Sequence, residues 1–123
     1  MLNVHSKNFG TVVVLCLQGQ IVTGETAILR DAVQSVSEVG AVILDLARVT
    51  TIDAGGLGVM LQLREQAESK GIRFGLVNVT KQIGRVLEIT RLDSVFQITS
   101  GVEFLPEVSR SGRESVAIFA SCA

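Results

Sequence analysis

The sequence predicts a single α/β domain. Its core is a mixed, mostly parallel sheet of about five strands, with an N-terminal antiparallel pair and three or more helices. Two patterns carry this. β-rich apolar runs, TVVVLCL, AVILDL and RFGLVNV, recur along the chain. Between them stand segments whose apolar residues are spaced three and four apart, the period of a helix buried along one stripe. Strands that alternate with helices build an α/β domain with right-handed crossovers.

Taken in order, residues 2–7 (LNVHSK) alternate weakly and 11–17 (TVVVLCL) form an apolar strand. Asn8–Phe9–Gly10 is short enough to join them as a hairpin. Gly19 and then IVTGET break the pattern, and Thr23 with Gly24 is placed to cap a helix bearing Ile28, Leu29, Ala32, Val33 and Val36. Residues 41–46 (AVILDL) read as a strand buried on both faces. Asp53 then caps a helix with Leu57, Met60, Leu61 and Ala67 inward, Arg64, Glu65, Glu68 and Lys70 outward, and Gly71 at its end. Residues 73–79 make the next strand. Thr80 caps a helix carrying Ile83, Val86 and Leu87, and 95–98 (VFQI) is a short last strand. The domain is expected over residues 1–105. Residues 106–123, with Pro106, several serines and a final AIFAS, are read as a tail.

Composition narrows the function. The chain has 123 residues, a net charge of −1 and no tryptophan or tyrosine. Neither a basic stripe nor a stacking platform is present, so no nucleic-acid partner is expected. No apolar run approaches bilayer length and the start does not resemble a secretory leader, so neither membrane insertion nor export is expected. Cys16 in an apolar run and Cys122 near the end read as a buried thiol and a tail thiol, which suggests a cytoplasmic setting. One histidine and no CxxC make a metal site improbable, and no cofactor is expected.

The stretch TIDAGGLGVML, residues 51–61, is the most distinctive. It lacks the lysine and hydroxyl residue of a P-loop, its glycines at 55, 56 and 58 do not match G-x-G-x-x-G, and Asp53 would repel a phosphate. Two readings stay open on the residues alone. One is a tight strand-to-helix turn. The other is a docking surface, where missing side chains leave backbone open to a partner.

Residues 42–98 resemble a STAS domain (sulphate transporter and anti-sigma factor antagonist). The residues that carry the resemblance are Asp45–Leu46, the run Asp53 to Leu57, Leu76–Val77–Asn78, and Leu92–Asp93 with Phe96 and Ile98; LQGQIVTGET is similar to the family's approach to its first helix. The match spans roughly residues 2–100. The resemblance implies a non-catalytic regulator that binds a kinase-type anti-sigma factor. In stand-alone members the residue after the aspartate is commonly a serine that this kinase phosphorylates, which ends binding by adding negative charge. Here that residue is Ala54, followed by Gly55, and neither has a hydroxyl. Thr50 and Thr51 are read as solvated loop residues and as weak alternative phosphoacceptors.

The expected partner surface is Thr23, Gly24, Asp53, Ala54, Gly55, Gly56, Leu57, Thr80 and Gln82, on one edge of the sheet. The alternative is an accessory subunit of a lipid-transport ATPase, or a small-ligand or nucleotide sensor. An apolar pocket beside the 53–57 turn would favour the sensor. A response-regulator receiver is disfavoured because nothing after the first strand supplies an acidic pair for Mg²⁺. His5 is expected to be a surface residue, and Asp45 to bond nearby loop N–H groups.

Overall fold

In the computed structural model the described residues are 2–36 and 39–99. The expected tail, 106–123, lies outside them. The chain runs β1 (Leu2–Phe9), β2 (Val12–Ile21), α1 (Ala27–Gln34), β3 (Ala41–Ile52), α2 (Ala54–Ser69), β4 (Arg73–Val77), α3 (Lys81–Ile89) and β5 (Gln97–Thr99). One five-stranded sheet has the spatial order β1-β2-β3-β4-β5. β1 pairs antiparallel with β2, and the other pairs are parallel.

The hairpin is tighter than the sequence suggested. Phe9 pairs with Val12, so Gly10 and Thr11 alone make the turn. Gly10 has φ +68°, and it occupies the first central position, where a two-residue hairpin accepts glycine at no steric cost.

Helix α1 starts later than expected. Its N-cap residue is Thr26, and Thr23 lies in the turn before it. Ile28 is 46% exposed, while Leu29 and Val33 face inward. The other two caps stand as read. The Asp53 carboxylate accepts from Gly56 N at the start of α2, and Thr80 Oγ1 accepts from Ile83 N at the start of α3. Gly71 has φ +76°, the left-handed backbone that ends α2.

All three helices lie on one face of the sheet. Leu29 and Val33 of α1, Leu57, Met60, Leu63 and Ala67 of α2, and Ile83 and Leu87 of α3 pack on Val13, Leu15, Leu17, Val42, Leu44, Leu46, Phe74 and Leu76. The alternate residues Val12, Val14, Ala41, Ile43 and Val77 point to the other face and form a second apolar cluster. That two-sided burial is why AVILDL reads as an unbroken apolar run.

β3 is the largest departure from expectation. It continues from Asp45 through Thr50 and Thr51 to Ile52, so both threonines are exposed strand residues and not loop residues. β2 accompanies it, with register shifts between Cys16 and Gln18 and between Gly19 and Gln20. β4 stops earlier, with Val77 beside Asp45. β2 and β3, flanked by β1 as far as Gly19, therefore rise beyond β4 and β5 by roughly 20 Å.

Candidate docking site at the start of helix α2

The site is built where that raised pair ends. Ile21 and Ile52 are the last paired residues of β2 and β3. From there the two chains leave in different directions, β2 into the turn 22–26 and β3 into α2. Asp53 ties them together. Its two carboxylate oxygens accept from Thr23 N at 3.1 and 3.0 Å, and one also accepts from Gly56 N at 2.8 Å. Its own N–H donates to the Ile21 carbonyl at 3.3 Å. One side chain thus caps the helix and pins the neighbouring turn.

The glycines have separate reasons. A Cβ at Gly56 would run into the Ile21 carbonyl, and one at Gly55 would run into the Thr23 side chain. Both are needed for the close approach of α2 to the end of β2. Gly58 differs: a Cβ there would meet nothing within 4 Å, and the position is exposed. Ala54, one turn earlier, is exposed as well. The outer side of the first turns of α2 is thus bare backbone and one methyl group. Gly58 was not among the residues selected from sequence. Its signal was present, a glycine inside a helical stripe that weakens the helix without helping it pack.

The remaining expected site residues are placed as follows. Gly24 is exposed with φ +91° in the turn beside Thr23. Leu57 is 6% exposed, so it supports the turn from beneath and offers a partner almost nothing. Thr80 and Gln82 open α3 after β4, which ends beside Asp45, so the register sets them apart from the Asp53 turn. The single edge expected from a parallel sheet is therefore split in two levels. Thr50 donates to the Gly19 carbonyl at 3.2 Å across the raised pair.

Asp45 is nearly buried at the end of the β4-paired part of β3, where it accepts from Ala47 N at 2.9 Å and from Asn78 Nδ2 at 3.2 Å. Those bonds match its expected structural role. His5 is an exposed residue of β1. Among the described residues no group of three or more His, Cys, Asp or Glu side chains is placed to hold a metal. Among them no helix is long and apolar enough to cross a membrane. Cys16, expected as a buried thiol, is half-buried and disulfide-bonded. Cys122 lies outside the described residues.

The electrostatics follow from the bonding. The Thr23 N–H and then the Gly56 N–H hold the Asp53 carboxyl below its ordinary value of 3.8, against a smaller opposing effect of desolvation. A depressed carboxyl contributes stability that is fully present above its unfolded value and is lost as pH falls through the folded one. In an NMR titration the Asp53 carboxyl should have its midpoint below 3.8, with the Thr23 and Gly56 amide signals moving in step. A midpoint at or above that value would remove the charge-assisted part of this account. The same bonding answers the anion question: a carboxylate already occupies this helix N-terminus, so a phosphate would meet repulsion there.

A cavity of about 10 Å³ lies between α1 and the far end of α2, lined by Val33, Val42, Ala67 and Ile72 among others. It has room for about one water, and none of its lining residues belongs to the 53–57 turn.

With this geometry in view, comparison with known proteins identifies the class. The STAS domain model matches residues 3–105, and the chain belongs to that family. It is 26% identical to a STAS-domain containing protein of Pseudomonas aeruginosa over 91 residues, 73% of this chain and 90% of that one. A Thermotoga neapolitana relative, provisionally named as an anti-sigma factor antagonist, is 37% identical over 68 residues, 54% of this chain. The match spans 60% of that relative's length. The crystal structure of an anti-sigma factor antagonist from Mycobacterium paratuberculosis superposes with a TM-score of 0.68 at 23% identity, covering 80% of this chain and 85% of that one. At that identity the likeness speaks for the fold, which is the fold of the anti-sigma factor antagonists.

Proposed function

We propose that this chain is a non-catalytic, cytoplasmic regulator that binds a kinase-type anti-sigma factor through the Asp53–Gly56 turn and the exposed first turns of α2. Thr23 and Gly24 complete the surface from the adjoining turn. Thr80 and Gln82 are left as an outlying contact. The observation that carries the reading is the bare outer side of α2 at Ala54 and Gly58, mounted on a turn that Asp53 holds rigid. A preorganised, side-chain-poor surface loses little entropy on docking. It also lets a partner approach the backbone closely.

Ala54 gives the reading its particular form. A methyl group cannot accept a phosphoryl group, so binding here escapes the switch by which charge is added to the surface. The test uses a sigma-binding kinase of ATPase-type fold from the same genome, mixed with this chain and radiolabelled ATP. The wild-type protein should bind and remain unlabelled. Ala54→Ser should become labelled at residue 54 and then release the kinase. Absence of binding by either protein to every such kinase in the genome would sink the proposal. It would favour an accessory role in a transport complex. Labelling of wild type at Thr50 or Thr51 would keep the partner and overturn the escape from phosphorylation.

A further inference from the structure

Thr23 reaches the start of α2 from outside the helix. A Cβ built on Gly55 would overlap Thr23 Oγ1, and it would stand 3.0 Å from Thr23 Cβ and 3.4 Å from Thr23 Cα. The hydroxyl therefore lies where a side chain at residue 55 would begin. Thr23 is exposed, and Ala54 and Gly55 beside it have no hydroxyl of their own. The turn 22–26 thus delivers to the head of α2 a group that the helix itself lacks there.

Asp53 fixes how that group is presented. The Thr23 N–H donates to both carboxylate oxygens of Asp53, at 3.1 and 3.0 Å. After the Thr23 and Gly56 N–H groups, the Thr23 hydroxyl is a further donor that lowers the Asp53 carboxyl. A hydroxyl has one proton to give and two lone pairs to offer. With the proton directed at Asp53, the lone pairs are left for a group outside the chain.

We propose that the Thr23 hydroxyl is the specificity-determining group of the docking surface. Held by Asp53 in the place of a residue-55 side chain, it accepts a hydrogen bond from a donor on the partner. The inference rests on the docking reading above and names the polar contact within it. Bare backbone and a methyl group offer a partner shape and little to select by. An oriented acceptor discriminates, because a partner without the matching donor leaves it unpaired once water is excluded. The role is recognition and not phosphoryl transfer: a phosphoryl group on Thr23 would stand against the Asp53 carboxylate and be repelled by it.

The test compares binding of the ATPase-type kinase by wild type and Thr23 variants. Thr23→Val keeps the branched shape and the backbone N–H but not the hydroxyl. It should bind about tenfold more weakly than wild type, the effect of one unmet donor on the partner. Thr23→Ser restores the hydroxyl and should bind within about threefold of wild type. Thr23→Gly combined with Gly55→Ser moves the hydroxyl onto α2, and it should bind more tightly than Thr23→Gly alone. Equal binding by wild type and Thr23→Val, or equal weakness of Thr23→Val and Thr23→Ser, would overturn the contact. Radiolabel on Thr23 from ATP would overturn recognition in favour of modification. Failure of wild type to bind any such kinase would bring down the docking reading and this contact with it, whereas binding that ignores the hydroxyl brings down the contact alone. The placement is read without a partner. Gly55→Ser should lower the urea midpoint of wild-type protein and leave that of Thr23→Gly protein unchanged. Equal lowering in both would overturn the place assigned to the hydroxyl.

Discussion

Gly56→Ala is expected to destabilise the fold by about 3 kcal/mol, at the upper end of what overpacking costs. Gly58→Ala, on the same helix, is expected to stabilise it by up to about 1 kcal/mol. The two glycines share a helix and differ in what faces them. A Cβ on Gly56 would stand 2.7 Å from the Ile21 carbonyl carbon and 3.0 Å from Ile21 Cγ2. Neither can step aside cheaply. Ile21 is fully buried, it pairs with Ile52, and its carbonyl accepts the Asp53 N–H. Relief therefore means lifting the start of α2 off the end of β2, which breaks the Asp53 ties as well. At Gly58 the new methyl group meets open space, so only the lower conformational entropy of the unfolded chain remains to count. Urea unfolding of both variants checks the pair. Equal stabilities would mean that α2 does not approach β2 as closely as described. Gly58→Ala has a second use. If it raises stability and weakens binding of the kinase, the bare backbone at 58 is part of the contact surface.

Asp53→Ala should leave a folded protein that binds its partner at least about tenfold more weakly. Removing the carboxylate frees the Gly56 N–H and releases Thr23 from the start of α2. The core below is untouched, because Leu57, Met60 and Leu63 keep their contacts with the sheet. The melting temperature should fall by only a few degrees, the usual effect of a lost N-cap in a small domain. Binding should fall further, because the surface depends on the turn 22–26 and α2 being held in one arrangement. Asp53→Asn separates the two duties. Its single amide oxygen can cap Gly56 but cannot reproduce both bonds to Thr23 N, so it should restore most of the stability and less of the binding. Wild-type affinity in a folded Asp53→Ala protein would show that pinning of the turn is not used in recognition.

Periodicity and capping chemistry were enough to find every element from β1 to α3, because each forms by a local rule. The apolar runs of β2, β3 and β4 are buried on both faces, and no helix stripe of similar length imitates them. Asp53 and Thr80 cap through bonds to residues three positions on, well inside the reach of a sequence window. Short-range rules also explain the misses. Thr23 reads as the cap of α1 because threonine there is chemically suited to it. What holds Thr23 is Asp53, thirty positions away. Thr50 and Thr51 look like loop residues, and they lie in a strand because β2 continues beside them.

The candidate site divides in the same way. DAGGLG announces a turn into a helix from its residues alone, and the absence of a hydroxyl at Ala54 is a fact of the sequence. Which glycine is structural and which is bare surface is decided only by tertiary contact. Ile21 stands over Gly56, Thr23 stands over Gly55, and nothing stands over Gly58. The split of the expected edge into two levels was equally out of reach, because it depends on β4 stopping beside Asp45 while β2 and β3 run on together to Ile21 and Ile52. Local bonding sets what each segment can become. Register and close approach between distant segments set where its surface lies.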